Sequence, residues 1–485
     1  MLRIYLRRQV HTSWMIAAGC LTIFIGISCA PHMPAGLFAT VTWLLTGTAL
    51  FVFAIARQKA WALIFALVGG LIIGSWRGSS QVADMTVYSQ LYGATTRVSG
   101  VVSDDVDVNA RGQQVLRVRD VSVKGHDLPG MMWVTLATKR SVQRSDHIII
   151  EGKVTKGFGT FAASVYAGKL IVLAHPVPPD AGLALRNWFA SGVTKATNEP
   201  QTSLGLGYLL GQRRGLPPEL EFALKAAGLT HIVVASGYNL MILVRLARRL
   251  FEKISKYLAF LAASSMIVGF IAITGMSPSM ARAGLVAGLS LVAWYYGRRI
   301  HPFVLLPLAM AITTFINPSY AWGDLGWQLS FAAFAGVMIV APIANVYFLG
   351  DKPERPVVRI LIETISAQVC TLPVILYAFG QFSVVAPIAN LLILPLVPIA
   401  MLLTFVAGIG GLMIPIFAHV VGLPAELLLS YMTQTIEYVG KLPWATTHIP
   451  LTAWGVVGMY AVIATVSLYM WHRTRLDLSE TSVVE

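Results

Sequence analysis

The chain has 485 residues, 56% of them hydrophobic and only 12% charged, with a mean hydropathy of +0.69. A soluble globular chain carries about twice that charged fraction, so composition excludes a water-soluble enzyme and defines an integral membrane protein. The formal net charge of +14 fits basic loops that fix topology, and by itself it says nothing about nucleic acid.

The opening MLRIYLRRQVH is basic, and apolar segments follow near 13–30, 37–56 and 60–76. Two more apolar segments directly after the first exclude a cleaved signal peptide, so residues 1–76 are expected to form three transmembrane helices. Arg57 and Lys59 mark the cytoplasmic side of the second, which puts the N-terminus inside and residue 77 outside. Cys20 and Cys29 would lie about 14 Å apart along one helix, too far to bridge. With Cys370 they read as small packing residues.

Residues 77–178 change character. TRVSGVVS, QQVLRVRDVSV, GMMWVTLA, DHIIIEGKV and ASVYAGKLIVLA are β-branched, partly alternating, and separated by Asp, Asn and Gly turns. Five strands in about one hundred residues fit a small extracytoplasmic barrel of OB-fold type, though the pattern also allows a sandwich. The domain carries twelve Lys/Arg against eight Asp/Glu. Lys139, Arg140 and Arg144 cluster in one turn, and Arg117 and Arg119 share a strand face. Trp133, Phe161 and Tyr166 are candidate stacking platforms for single-stranded DNA, as OB-folds use; the alternative is that the aromatics are core and the charges a solvated face.

Residues 179–228 have helical spacing and mixed polarity, with Trp188, Arg213, Arg214 and a Pro217-Pro218 break. They are expected to be interfacial amphipathic helices. Then comes AGLTHIVVASGYNL, Ala227 to Leu240, leading into a membrane-length segment yet carrying Thr230, His231, Ser236, Gly237 and Asn239. On one helix, His231, Ser236 and Asn239 form a single broad polar stripe at about 100° per residue. Such a stripe either lines a water-filled path or is a helix–helix contact. Arg245, Arg248, Arg249, Lys253 and Lys256 follow and place the far end of this segment inside.

Further spans are expected near 257–274, 282–297, 302–317, 328–348, 359–378, 384–409, 413–438 and 452–471. The total is about twelve within 1–76 and 229–472, with both termini cytoplasmic and 473–485 a solvated tail. The Pro/Gly-rich stretch 384–423 can be broken or re-entrant. Several polar residues fall inside or at the mouths of these spans: Arg282, Asp324, Gln328, Gln368 and Asn390. A charge at a helix centre costs about 2.5–3.5 kcal/mol on insertion scales. Pairing of Arg282 with Asp324 would remove that cost, and path lining is compatible with it.

Four stretches, AGLTHIVVASGYNL, TGMSPSMARA, DLGWQLSF and FGQFSVVAPIANLLILPLVP, together resemble the ordered signatures of the ComEC family of competence proteins. The resemblance covers roughly residues 200–400 well and the first 180 more weakly. Tyr238-Asn239 stands where the family commonly has Leu-His. The resemblance implies a channel that passes single-stranded DNA inward across the cytoplasmic membrane of a bacterium during natural transformation. It would line its path with His231, Ser236, Asn239, Arg282, Asp324, Gln328, Gln368 and Asn390. A transporter of a small or lipidic solute, or a membrane scaffold without transport, are the alternatives.

Catalysis is not expected. There is no G-x-x-x-x-G-K-[ST] phosphate loop and no H-E-x-x-H metal motif, and a Ser236–His231 dyad lacks an orienting third group. Full-length relatives in the family carry a C-terminal metallo-β-lactamase-like domain with an HxHxDH motif that this sequence lacks, so no cofactor or metal is expected. An external DNA receptor and nuclease would be separate proteins, and a homo-oligomer is compatible. A strand stretched at about 3.4 Å per phosphate puts roughly nine charges across a 30 Å core. Each costs about 2.3 kcal/mol to move inward against 100 mV, so a separate cytoplasmic ATP-driven motor is implied.

Overall fold

The computed structural model describes residues 9–34, 36–109, 111–138, 140–212, 215–233, 237–275, 277–298, 301–350 and 356–476. The chain forms two compact units: Met1–Asp180 with Phe303–Gln328, and Ala181–Pro302 with Leu329–Glu485.

The first unit begins with α1 (Thr12–Cys29), α2 (Val41–Arg57) and α3 (Leu63–Met85). Small residues let these helices pack at backbone distance, the usual solution where lipid removes the hydrophobic drive between helices. Gly70, Gly74 and Gly78 sit four apart on α3, and a Cβ on any of them would collide with α1 or the Ala30 turn after it.

The strands are β1 (Thr95–Val102), β2 (Asp107–Val108), β3 (Gln114–Val123), β4 (His126–Leu128), β5 (Met131–Leu136), β6 (His147–Lys156) and β7 (Phe161–Ala174). β1 pairs antiparallel with β3 and β6, β3 with β5, and β6 with β7, while β5 and β7 run parallel. Five long strands thus return on themselves in the order β1-β3-β5-β7-β6, and the sheet is barrel-like. The two short strands attach to the edge of β3. Alternation works as the sequence predicts: in β6, Ile148, Ile150 and Val154 point into a core shared with Val98, Leu116, Met132, Val134 and Val165. Tyr88, just past α3, is fully buried in that core, and its hydroxyl donates to the Pro129 carbonyl at 2.9 Å.

The same unit takes in α11 (Pro302–Ile316), α12 (Ser319–Gly323) and the first turn of α13 (Leu325–Ala335). Arg77 of α3 donates through Nε to Phe315 O at 2.8 Å and through Nη2 to Ile316 O at 3.1 Å. A cation on the last carbonyls of a helix satisfies orphan acceptors and the helix dipole together. The β6–β7 turn meets α12 at Gly159 and Gly323, where either Cβ would press on the other's backbone; Gly159 also sits at φ +58°.

In the second unit, α4 (Ala181–Ala196), α5 (Gln201–Leu210), α6 (Pro218–Ala226) and the short α7 (Thr230–Val233) lead to α8 (Gly237–Glu252). Then follow α9 (Lys256–Thr274), α10 (Pro278–Tyr295), α14 (Ala341–Leu349) beyond a wide turn at Gly336–Val340, and α15 (Pro356–Phe379). α16 (Ala386–Ile393), α17 (Val397–Met413), α18 (Ala418–Gly440) and α19 (Ala453–Thr474) complete it, with a small hairpin of β8 (Gln381–Ser383) and β9 (Thr446–His448). The stretch expected to break does so at Leu394–Leu396, where Pro395 removes a donor.

Two expectations change. Residues 179–228 are not all interfacial: every residue of α5 is buried except its first, and Leu204, Tyr208 and Leu220 belong to the core of the unit. Small residues cause this, since Gly205 and Gly207 of α5 bring its backbone against Thr404, Leu429 and Val233. Second, eight helical stretches among the described residues are long and apolar enough to cross a membrane, with Val41–Arg57 and Pro302–Ile316 as shorter apolar helices. The signature segment is not among them, because α8 ends in RLARRLFE and is strongly two-faced.

Candidate functional site

The described part of the signature lies on two helices. α7 stops at Val233 and α8 starts at Gly237, and Ser236 lies outside the described residues. His231 is exposed, and its Nδ1 donates to Gly228 O at 3.1 Å, which leaves Nε2 as the outer edge of the ring. Asn239 differs. It has no accessible surface, and its Nδ2 donates to Tyr208 O at 3.0 Å and Ile232 O at 3.3 Å. A side chain so enclosed locks α8 to α5 and α7. The expected stripe of His231, Ser236 and Asn239 therefore loses Asn239 as a lining group, because its side chain is fully enclosed.

The motif stretches meet here. Gly228 ends α6 at φ +70°, a conformation glycine adopts without strain, and a Cβ there would press on Ala386 and Ser383. Ser383 Oγ donates to Ala226 O at 2.7 Å, while Ser383 O accepts from Gln368 Nε2 at 3.0 Å. Gly237 at the start of α8 faces Ala283 of α10. The neighbouring Arg282 is buried, with its guanidinium over the Phe331 ring at 6.0 Å. Tyr238 OH donates to Leu394 O at 3.4 Å. Asn390 is buried on α16 beside Ala389 and Ile393. Gln368 thus ties to the Ser383 turn that packs on Gly228, while Arg282 and Asn390 are buried polar side chains on α10 and α16. Two further contacts were not singled out in the sequence: Ser383, inside FGQFSVVAPIANLLILPLVP, ties to Ala226 and Gln368, and the Tyr208 carbonyl accepts from Asn239.

Asp324 and Gln328 sit elsewhere, in the first unit, and their roles are structural. The Asp324 carboxylate caps α13, accepting from Trp327 N at 2.6 Å. Gln328 Nε2 donates to Ala321 O at 3.3 Å. Trp327 between them is buried, stacked on Phe24 at 5.4 Å, with Nε1 donating to Thr313 Oγ1 at 3.0 Å. DLGWQLSF in this unit is a cap and an anchor.

The barrel divides the remaining candidates. Arg144 is only 6% exposed and held by Asp180, Nε to Oδ2 at 2.9 Å and Nη2 to Oδ1 at 3.0 Å, with Ser145 Oγ on the same carboxylate. It is an internal tie, so the expected cluster keeps Arg140 at the surface, and Lys139 lies outside the described residues. Arg117 reaches Asp107 at 3.3 Å and Asp104 at 3.7 Å. Burial raises the Asp104 carboxyl above its usual range, and Arg117 opposes this in part. Arg119 is exposed beside Asp120. Arg117 pairs in register with Trp133, and Trp133 packs edge-on against Phe158 at 5.3 Å and Phe161 at 5.2 Å. Phe158 and Tyr166 are exposed. β3, β5 and the β6–β7 turn thus carry one basic and aromatic face.

Fold and site define a polytopic membrane protein with a barrel-like β domain near its N-terminus and buried polar side chains among its helices. The family described as Competence protein matches residues 208–474, more than half of the chain, and the chain belongs to that family. Over 310 residues it is 24% identical to ComE operon protein 3 of Bacillus subtilis (strain 168), covering 62% of this chain and 38% of that protein. Over 203 residues it is 26% identical to an uncharacterized protein of Aquifex aeolicus (strain VF5), covering 41% of this chain and 45% of that one. The matched region thus spans less than half the length of either relative. No solved structure matches the chain.

Proposed function

We propose that this protein conducts single-stranded DNA inward across the cytoplasmic membrane during natural transformation, as a channel and not an enzyme. One observation carries the reading. The stretches that mark the chain as a competence protein converge in three dimensions: Gly228 on Ser383 and Ala386, Gly237 on Ala283, and Arg282 on Phe331. Polar groups gathered at membrane depth are costly and belong to a path or a binding centre.

The strand order of the barrel, with its one parallel pair, supports an OB-type reading, and the Arg117, Trp133 and Phe158 face lies on the strands and loop such folds use for single strands. Positive-inside counting supports an external barrel and cytoplasmic termini. The reading requires a separate ATP-driven motor inside, and a DNA receptor and nuclease outside; membrane lipid surrounds the protein, and self-association is compatible with it. The test is deletion of the chain with DNA binding, uptake and transformation measured separately. Binding retained with uptake and transformation lost is the expected result. Uptake unaffected by the deletion would sink the reading.

A further inference from the structure

α9 is long and apolar enough to cross a membrane, and it begins at Lys256. α8, α9 and α10 pack on one another around Leu240, Val244, Ala263, Ile267 and Leu291. That packing brings the last turn of α8, the first of α9 and the last of α10 to one end of the three helices. Trp294 stands between them there. The Arg248 guanidinium lies over its ring at 5.2 Å and Lys256 Nζ at 5.6 Å, so two cations share one indole. Lys256 also reaches the Tyr295 ring at 5.8 Å. Tyr257 and Tyr296 beside them are exposed. Aromatic side chains gathered in this way mark the level at which a helix meets the headgroups. Arg248 departs from that pattern. An arginine at a membrane boundary ordinarily buries its stem and keeps its head in water. Here the whole residue is 7% exposed, and among the described residues its Nε and Nη1 have no hydrogen-bond partner. Its ion pair with Glu252 is long, 3.8 Å from Nε, and the carboxylate is largely in solvent. Buried charged donors without an acceptor are costly, and an anion seated beside them would remove that cost.

We infer that the phosphate of an anionic phospholipid seats at this end of the three helices, held by Arg248 and Lys256 beside Trp294. Arginine's planar fork suits a phosphate, and lysine adds a point charge. The start of α9 adds to both, because the first N–H groups of a helix lack partners within it and its dipole favours an anion there. The Ser255 hydroxyl accepts from one of those groups, Leu258 N, at 3.4 Å. The surroundings favour a lipid over a nucleic acid strand. Leu250, Ile254 and Leu261, in the turn from α8 to α9 and on the helices either side of it, are all exposed. Acyl chains cover such side chains, whereas a hydrated strand would leave them in water. Basic pockets between membrane helices take headgroups by the same combination of charge and apolar flank. The inference stands whether or not the chain conducts DNA.

The test uses the full chain, purified in neutral detergent and stripped of lipid, with short-chain phosphatidylglycerol as probe and phosphatidylcholine of the same chain length as reference. Affinities are read by native mass spectrometry. The wild type is expected to prefer phosphatidylglycerol. Lys256→Gln is expected to weaken that binding about fivefold, the worth of one cation near a lipid surface. Arg248→Gln is expected to weaken it at least about tenfold, since charged hydrogen bonds are lost. Lys256→Arg keeps the charge and is expected to keep the affinity. Lys253→Gln removes the same charge from the same exposed turn and is expected to change nothing. Should the Arg248 variant not fold, the two lysine variants decide the matter. Equal losses in the Lys253 and Lys256 variants would mean diffuse attraction without a site, and would overturn the inference. So would a wild type without preference between the two lipids. Inorganic phosphate that displaces the lipid at equal concentration would make this a site for free phosphate. Weaker binding of labelled oligo(dT) by Lys256→Gln, with phosphatidylglycerol binding intact, would assign the cations to a strand; either result overturns the lipid assignment.

Discussion

Asn239→Leu strands the Tyr208 and Ile232 carbonyls in an apolar core, while His231→Ala strands nothing, because the ring is exposed and its one bond is to a neighbouring carbonyl. Each buried acceptor left without a donor costs about 1–3 kcal/mol. Asn239→Leu is therefore expected to lower the amount of protein in the membrane and its melting temperature in detergent. His231→Ala is expected to leave both unchanged and to lower DNA uptake. Abundance and uptake measured in the same cells separate the two roles, and normal uptake in the His231 variant would remove that ring from the path. The sequence placed both residues in one motif but could not tell them apart. Periodicity gives the face a residue occupies, but not whether that face is covered by α5 or left open. The same limit applied to Asp324. Its spacing to Gln328 was legible, but its use as a helix cap depends on where α13 begins.

At the scale of elements, the barrel was the most legible part of the chain, since alternation and turn residues set five strands whose bounds differ little from expectation. Its surface was not. Arg144 stands near Arg140 in the sequence, yet its guanidinium points inward to Asp180, a partner 36 residues away. Removing one member of a buried pair costs about 3–5 kcal/mol. Arg144→Gln is thus expected to loosen β6 and the turn before it, seen as faster amide exchange there, with the salt dependence of DNA binding unchanged. Arg140→Gln is expected to do the reverse, reducing the slope by about 0.7. Asp104 is expected to give the barrel a pH dependence. Its carboxyl is raised in the folded chain, so the proton is held more tightly folded than unfolded. The destabilisation is fully present above the raised value and fades as pH falls through it toward the ordinary carboxylate range. Asp104→Asn is therefore expected to slow exchange in β3 at neutral pH and to make no difference in acid. Faster exchange at neutral pH would show that Arg117 outweighs burial.

For the whole molecule the decisive quantity is work against the membrane potential. About nine phosphates lie in a 30 Å core at once, and each carries a cost of about 2.3 kcal/mol per 100 mV across an inside-negative membrane. Fixed side chains around the signature supply no directed work against that cost. Reconstituted alone into vesicles with the barrel facing out, the protein is expected to import no oligonucleotide under an inside-negative potential. The same vesicles with the potential reversed are expected to accumulate it, because the field then pulls the charges inward. A quenchable label on the oligonucleotide reads arrival directly. Import under the inside-negative potential without any nucleotide would remove the need for a motor. No import under either sign would remove the channel.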